Sequence, residues 1–471
     1  MKAQNTAGGV PQENKMGVLP VGKLLAGMAL PMMISMLVQA LYNVVDSVFV
    51  SRLSENAFNA VSLAFPLQSL MIAVGAGTAV GAGTAVGINA LLSRSLGERR
   101  QEMADRAAGT GIFLSLCSAV AFALIGIFLS RPFFLAQAKA VPEIVEMGTA
   151  YTEICLGLSV GLFGQFCFER LLQSTGRTML AMCTQLIGAV INIIMDPILI
   201  FGLLGAPRME VAGAAVATVL GQIAAAAAAV ILNLKCNPDI RLRARLIRWD
   251  KRVAGEIYRV GFPSIVMQSI GSVMTFGMNK ILFVFTPTAT AVFGAYFKLQ
   301  SFIFMPIFGL NNGMVPIISY NYGAAKAERV WKTVKLTILT AVAIMAAGFL
   351  LFQTVPASLL ALFDASEEMT AIGIPALRII SISFLLAGFC IIAGSVCQAI
   401  GNPFYSMIVS VCRQMLVLLP VAWLLAQTGK LELVWWSFPI AEVASVTLSA
   451  IFLRRTVRSA DARMRAANEQ A

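Results

Sequence analysis

Histidine is absent from the 471 residues, and charged side chains make up only 12% of them. The lack of histidine excludes Ser-His-Asp catalysis, histidine-based proton relays and histidine-ligated metal sites. Hydrophobic residues reach 58% and the mean hydropathy is +0.81, far from the values of soluble domains. The composition therefore indicates a membrane protein with many spans, and nothing in it points to an enzyme.

Paired cysteine motifs are also missing. No two cysteines form a C-x-x-C pair, and most of the eight lie inside apolar runs, so we expect small buried side chains rather than disulfides or metal ligands. They are Cys117, Cys155, Cys167, Cys183, Cys236, Cys390, Cys397 and Cys412. The first twenty residues are polar and contain no short apolar core, so no cleavable signal peptide is expected.

Twelve apolar stretches are long enough to cross a bilayer as helices. They cover 22–50, 57–86, 105–130, 148–172, 178–203, 211–234, 254–285, 291–320, 333–356, 371–398, 406–427 and 433–453. We therefore predict an all-α polytopic membrane protein with twelve transmembrane helices. Its predicted parts are a polar N-terminus (1–20), an N-lobe (21–235), a basic linker (236–253), a C-lobe (254–455) and a tail (456–471).

The distribution of basic residues predicts the orientation in the membrane. The termini and the loops after even-numbered spans carry 26 Lys or Arg, against 5 in the opposite loops. By the positive-inside rule, both termini are cytoplasmic, and we expect a multi-pass protein of the cell (inner) membrane. The net charge of +12 is scattered between apolar runs, so it indicates topology and contact with anionic lipids rather than nucleic-acid binding.

The two halves of the chain resemble each other. Phe65-Pro66-Leu67-Gln68-Ser69 returns 232 residues later as Phe297-Lys298-Leu299-Gln300-Ser301, and Gln173-x-x-Gly176 returns as Gln398-x-x-Gly401. Two six-helix bundles in the same order imply a parallel repeat about an axis along the membrane normal. The spacing falls to 226 after 75–80 and 81–86, which are the same hexapeptide in tandem. A six-residue duplication in the first half accounts for that shift.

Ionisable and polar residues inside the predicted spans are the candidates for function, because burying them in a membrane is costly. Asp46 lies in the first span, Asn192 and Asp196 share a face of the fifth, and Thr218 lies in the sixth. Two carboxylates, an amide and a hydroxyl suit either a hard monovalent cation such as Na⁺ or an exchangeable proton. In the repeat, Asp46 maps onto Met278 and Asp196 onto Val421, so the acids belong to the first half alone.

A substrate cavity between the halves is expected to be lined by polar and adaptable side chains near these acids and at the equivalent positions of the second half. The candidates are Gln39, Tyr42, Asn43, Gln68, Met278, Lys280, Lys298 and Gln300. Arg413 lies in the eleventh span, and Glu442 and Glu153 are weaker candidates, because each could equally be a solvated residue at a helix end.

With these residues in view, the chain resembles the MATE (multidrug and toxic compound extrusion) transporters. The resemblance covers about residues 20–455. The stretches that carry it are Pro31, Gln39…Asp46, Phe65-Pro66, Gly87…Gly97, Gln173-x-x-Gly176, Asp196-Pro197, Val211…Thr218 and Pro316…Gly323. It implies two bundles in a V around a central cavity. It also implies export of cationic or amphiphilic drugs by antiport with Na⁺ or H⁺ through alternating access.

The resemblance also implies roles for particular residues. Asp46, Asn192, Asp196 and Thr218 match the N-lobe cation or proton site of one branch of the family, whereas no acidic residue stands near Met267 to match a C-lobe site of another branch. We expect a monomer in contact with lipids and no cofactor beyond the coupling ion. The alternative is a flippase for a lipid-linked oligosaccharide or peptidoglycan precursor, in which Lys280, Lys298 and Arg413 would bind pyrophosphate.

Overall fold

The structure is a computed structural model that describes residues 14–54, 56–57, 60–61, 63–64, 67–68, 71, 82–138, 141–363 and 365–469. The described regular structure is helical. Its helices are α1 (Lys15–Val18), α2 (Val21–Ser51), α3 (Ala82–Gly97), α4 (Gln101–Ala138), α5 (Pro142–Gly157), α6 (Val160–Ser174), α7 (Thr178–Phe201), α8 (Glu210–Cys236), α9 (Lys251–Phe283), α10 (Pro287–Gly323), α11 (Ala327–Thr354), α12 (Pro356–Ala361), α13 (Glu367–Ser381), α14 (Phe384–Ile400), α15 (Pro403–Val411), α16 (Leu419–Ala426), α17 (Leu431–Val434) and α18 (Ser437–Glu469). A π-helical segment, Cys412–Leu418, joins α15 to α16.

Eleven of the twelve predicted spans are seen in the described part of the chain. Nine helices are long and apolar enough to cross a membrane, and two bent pairs, α5–α6 and α13–α14, supply two more spans. The sequence pattern predicts each of these pairs as one span, 148–172 and 371–398, and the structure shows that the pairs bend by 42° and 48°. The apolar composition continues through both breaks, so hydropathy does not reveal them. The predicted span 57–86, which holds the duplicated hexapeptide, lies largely outside the described residues.

The last predicted span is longer than its apolar part. The predicted tail, 456–471, continues as helix α18 up to Glu469. Asp461 fixes this extension to α11, because its carboxylate accepts a 2.6 Å hydrogen bond from the indole nitrogen of Trp331. The polar composition after residue 455 therefore marks the level at which the helix leaves the apolar layer rather than the end of the helix.

Equivalent positions of the internal repeat adopt equivalent geometry. Gly176 and Gly401 both have a left-handed backbone, with φ of 84° and 97°, a conformation that glycine adopts without steric cost. Ser93 and Ser319 each donate a hydrogen bond, of 2.8 and 3.0 Å, to the carbonyl two residues before that glycine. The two halves are therefore built on one plan, which confirms the predicted repeat.

Glycines bring the two lobes into backbone contact. A Cβ atom at Gly97 would collide with the carbonyl oxygen of Tyr320, and one at Gly323 would collide with the carbonyl oxygen of Arg94. Since Gly97 and Gly323 are repeat equivalents, each lobe offers the same small residue to the backbone of the other. This reciprocal contact is the lobe seam, and it requires glycine on both sides.

The seam continues along the first half of α2. Gly313 and Gly309, spaced as G-x-x-x-G on α10, lie against the backbone of Ala29 and Met33, and a Cβ at Gly313 would come within 2.6 Å of the Ala29 Cα. The second half of α2 packs within the N-lobe, where Phe49 meets Phe201 edge-on at 6.4 Å. In the described residues, the lobes thus meet at the end of the bundle where α2 begins and α10 ends. We call it the basic end, because it also carries the Arg-rich linker between α8 and α9.

The short helix α1 connects both lobes at the basic end. On the N-lobe side, the Asn14 amide donates to the carbonyl of Thr175 and to the carboxylate of Asp239, at 3.2 Å each. On the C-lobe side, the Arg329 guanidinium donates to the carbonyls of Met16 (3.0 Å) and Leu19 (2.6 Å). The helix therefore acts as a strap across the lobe seam.

Charges crowd around the N-lobe side of this strap. Burial, followed by the charge of the Arg177 guanidinium, lowers the pKa of the Lys15 ammonium, and the Asp239 carboxylate counteracts part of that effect. Arg177 also pairs with Asp239 at 3.2 Å. Asp239 therefore contacts both the strap, where it accepts a hydrogen bond from Asn14, and the N-lobe surface, where it pairs with Arg177.

Removing the Arg329 side chain (Arg329→Ala) is expected to release the strap. Charged donors to carbonyl oxygens contribute about 1.5–3 kcal/mol each, so amide hydrogen exchange in residues 14–20 should accelerate by roughly tenfold or more. Hydrogen–deuterium exchange mass spectrometry of the purified protein measures this rate. Lys332→Ala, an exposed change on the same helix, is the control, and equal exchange in the two variants would show that Arg329 does not hold the strap.

Candidate functional site

Three of the four predicted ion-coupling residues form a hydrogen-bonded group between α7 and α8. The Asn192 amide nitrogen lies 3.4 Å from the Asp196 Oδ1 and 3.4 Å from the Thr218 hydroxyl. Asp196 is fully buried, and Asn192 is 3% exposed. Both contacts are long for N–H···O hydrogen bonds, so they hold the Asn192 amide weakly. The oxygens of Asp196 and Thr218 can therefore still bind another ligand.

Small residues place this group. A Cβ at Gly221 would come within 2.6 Å of the carbonyl oxygen of Gly188 and 3.2 Å of the Asn192 Cβ, so α7 and α8 cross in backbone contact. Asn192 stands one helical turn after Gly188, which sets its side chain against α8 beside Thr218. The Gly/Ala-rich sequence of α8 thus has a local purpose, which is to let polar side chains of two helices meet.

Asp46 joins the group from α2. The carboxyl groups of Asp46 and Asp196 interact electrostatically, as α2 packs against α7. Three buried oxygens here have no hydrogen-bond donor among the described residues: Asp46 Oδ1, Asp196 Oδ2 and Asn192 Oδ1. Buried acceptors without donors are costly, and all three carry lone pairs that a proton or a cation would satisfy.

A small cavity of about 30 Å³ lies beside the group. That volume accommodates a water molecule or a small ion but no drug-sized compound. Two predicted substrate-cavity residues, Gln39 and Tyr42, line it, and Gln39 accepts a 3.2 Å hydrogen bond from Gln185. The complete lining is Gln39, Tyr42, Leu162, Gln165, Phe166, Gln185, Gly188, Ala189, Asn192, Thr218, Gly221 and Gln222.

Gln68 is connected to the same region through Tyr151. Its amide nitrogen donates to the Tyr151 hydroxyl at 2.9 Å and contacts the Cys155 sulfur at 3.8 Å. Tyr151 is buried and interacts electrostatically with both Asp46 and Asp196. Tyr151 is therefore a neighbour of the carboxylates that the sequence pattern did not single out.

The second-half candidates do not join this group. Met278 is fully buried in the C-lobe core, and Gln300 is partly exposed on α10. Lys280 and Lys298 are exposed and lie over different rings, Phe276 at 4.9 Å and Phe363 at 5.9 Å. Lys280 borders an open groove of about 460 Å³ with Phe276, Asn279, Phe283 and Thr290. The side chain of Asn43 lies outside the described residues.

Arg413 and Glu442 are brought together in the C-lobe. Their side chains form an ion pair of 3.1 Å, in which Glu442 is 3% exposed. Arg413 lies in the π-helical segment. The other weak candidate, Glu153, is exposed on α5.

Two buried charges in the N-lobe were not predicted. Glu169 and Arg170 are neighbours on α6 and are 3% and 7% exposed. Both lie inside the predicted span 148–172, so the criterion that selects Asp46, a charged residue within an apolar run, applies to them as well. They were not chosen as candidates because they lie near the end of that span, where charged residues are usually solvated.

The fold and this site define a polytopic membrane protein of two repeated helical bundles with a buried polar site in one of them. The family model MatE matches residues 31–198 and again 263–424. The two matches begin 232 residues apart and end 226 apart, which are the offsets of the internal repeat. Together they cover more than half of the chain, and the chain belongs to the MatE family.

Known proteins agree with this assignment. The "Multidrug export protein MepA" of Staphylococcus aureus (strain bovine RF122 / ET3-1) is 27% identical over 433 residues, covering 90% of this chain and 91% of the relative. A solved structure described as "MATE in complex with MaL6" superposes with a TM-score of 0.87 and 25% identity, covering 96% of this chain and 99% of that one.

A second solved structure shares the fold. It is described as the "outward-facing conformation of a multidrug resistance MATE family transporter of the MOP superfamily" and has a TM-score of 0.88 at 24% identity, covering 96% of this chain and 99% of that one. MATE structures have twelve transmembrane helices in two bundles. The predicted architecture is thereby confirmed.

Proposed function

We propose that this protein is a secondary active multidrug efflux transporter, which exports cationic or amphiphilic compounds in exchange for Na⁺ or H⁺. Membership of the MatE family and the likeness to multidrug export proteins support drug export. The exchange with an ion is supported by the site itself. Antiport requires a group whose ion occupancy differs between two states of the protein.

The observation that carries this proposal is the set of buried acceptors at Asp46, Asn192 and Asp196, for which the described part of the chain offers no donor. Within the described residues, no group of three His, Cys, Asp or Glu side chains could hold a metal ion. The ligands on offer are instead two carboxylates with the neutral oxygens of Asn192 and Thr218. Such an oxygen set fits one Na⁺, and two buried carboxylates in electrostatic contact also tend to share one proton.

The position of the lobe seam supports alternating access as part of this proposal. The lobes are joined at the basic end, which the positive-inside rule assigns to the cytoplasm. In this proposal the joined seam blocks passage between the lobes on the cytoplasmic side, and export requires the seam to open and close in turn. We place the protein in the cell (inner) membrane as a monomer with both termini cytoplasmic.

The arrangement of basic residues favours drug export over the flipping of lipid-linked precursors. A pyrophosphate site needs several cationic groups directed at one point. Arg413 instead pairs with Glu442, while Lys280 and Lys298 lie over separate rings. The carboxylates at Asp46 and Asp196 favour a cationic ligand.

Efflux of a fluorescent cationic dye from proteoliposomes tests the proposed function. The purified full chain is given an imposed Na⁺ gradient in one experiment and a pH gradient in another. We expect one gradient to drive efflux and thereby to identify the coupling ion. Absence of efflux under both gradients, with protein that remains folded, would overturn the proposal and direct attention to lipid-linked substrates.

A further inference from the structure

Glu169 is a third buried carboxylate of the N-lobe, and it is connected to the small cavity. Its Oε1 accepts hydrogen bonds from the Gln165 amide (3.0 Å) and the Thr184 hydroxyl (3.2 Å). Gln165 also lines the cavity beside Asn192 and Thr218. One amide therefore links Glu169 to the space next to the proposed coupling site.

Arg170 follows Glu169 in sequence but is held by neutral groups. One guanidinium nitrogen, Nη1, donates to the Gln173 amide oxygen at 2.8 Å and to the amide oxygen of Asn312 at 3.0 Å. Asn312 belongs to α10 in the C-lobe, so this second bond crosses between the lobes. Among the described residues, Arg170 and Glu169 form no ion pair with each other or with other side chains within 4.0 Å.

Two adjacent buried charges that each bind neutral partners are in a costly arrangement. Among the described residues, the charged or titratable groups that interact with Glu169 are Arg170 on its own helix and Tyr42 on α2. From α7, the neutral hydroxyl of Thr184 donates a hydrogen bond to it. In this part of the chain, Arg170 is therefore the cation that can neutralise Glu169, and its bond to Asn312 competes with that pairing.

We propose that Glu169 is a further binding site for the coupling cation and that the Arg170–Asn312 hydrogen bond determines whether this site is filled. While the lobes are joined, Asn312 holds Arg170, and Glu169 takes up a proton or Na⁺ from the cavity. When the lobes part at the basic end, Arg170 loses Asn312 and pairs with Glu169. That pairing expels the cation, which leaves toward the side that has opened.

The inference rests on the proposed function and assigns Asn312 a positioning role. It accounts for two adjacent buried charges that form no ion pair among the described residues. It also ties ion release to lobe separation through the hydrogen bond between Arg170 and Asn312. A ligand shifts a conformational equilibrium only through its different affinity for the two states, and the Arg170–Glu169 pair would supply that difference.

The test compares Glu169→Gln and Asn312→Ala with the unchanged protein in proteoliposomes. Asn311→Ala is the matched control, since the neighbouring amide oxygen has no hydrogen-bond partner among the described residues. We expect Glu169→Gln to lower the number of ions exchanged per dye molecule while dye–dye exchange without a gradient continues. For Asn312→Ala we expect the ion concentration for half-maximal efflux to rise roughly tenfold or more, and Arg170→Gln in the same chain should reverse that rise.

These experiments distinguish a proton from Na⁺ as the bound ion, and they test the role of Glu169 separately from the proposed efflux function. A change seen under the pH gradient identifies a proton at Glu169, and one seen under the Na⁺ gradient identifies Na⁺. If the unchanged protein is driven by a gradient while Glu169→Gln keeps its ion-to-dye ratio and Asn312→Ala its ion dependence, the inference fails and the proposed function stands. If no gradient drives the unchanged protein, the proposed function fails first. Should Glu169→Gln not fold, Asn312→Ala alone decides.

Discussion

Gradient-driven efflux is expected to fall by at least about tenfold when Asp46 is replaced with asparagine (Asp46→Asn), because coupling free energies of 1–3 kcal/mol correspond to factors of about 5–150. The substitution keeps the shape of the side chain but removes the negative charge that we propose binds the ion. Initial rates of dye efflux from proteoliposomes under the driving gradient measure the loss.

The control for this result is Glu102→Gln, which also neutralises a carboxylate but at an exposed position on the surface of α4, where Glu102 pairs with Arg106. It should transport like the unchanged protein. The melting temperature of Asp46→Asn in detergent should remain near that of the unchanged protein. Full efflux by a folded Asp46→Asn variant would remove this residue from the coupling site.

The second large effect is expected at the lobe seam. In Gly313→Leu, the added side chain would enter space held by the backbone of Ala29, where even a Cβ comes within 2.6 Å. Backbone atoms cannot move aside locally, so the lobes should be unable to close at the basic end. Transport requires both states, and we expect efflux to fall by roughly tenfold or more while the purified protein still binds dye.

Gly294→Leu serves as the matched control, since Gly294 lies on the same helix and a Cβ there meets nothing within 4 Å. It adds the same hydrophobic volume without touching the seam and should leave transport intact. Distances between spin labels on the two lobes report closure directly. A closed distance distribution in Gly313→Leu would show that the seam tolerates the side chain.

Spans and the repeat were predictable from sequence because both depend on patterns that extend over many residues. Apolar runs of about 20 residues report membrane helices directly, and paired motifs such as Gln173-x-x-Gly176 report the duplication. The bends after Gly157 and Ser381 were not predictable. Each depends on a change of direction over two residues that leaves the hydropathy of the whole stretch unchanged.

The candidate site was predictable in composition and only partly in geometry. A charge inside a span is visible in sequence, so Asp46 and Asp196 could be named, and the four-residue spacing placed Asn192 on the face of Asp196. The position of Tyr151 and the cross-lobe bond of Arg170 depend on how helices pack. One sequence signal was available for Glu169 and Arg170, since their repeat equivalents, Gly394 and Ser395, are uncharged.

The strap at the basic end has a practical consequence for handling the protein. A purification tag or fluorescent fusion joined to Met1 would stand fifteen residues before Met16, which is fully buried between the lobes. A tag inserted directly before residue 14 would instead press on the strap, which has to move if the proposed transport cycle is correct. A fusion after α18 would follow a helix end that also contacts this junction, because the Asn468 amide donates a 3.2 Å hydrogen bond to the carbonyl of Ala325. A spacer between the chain and the tag is therefore advisable at either terminus.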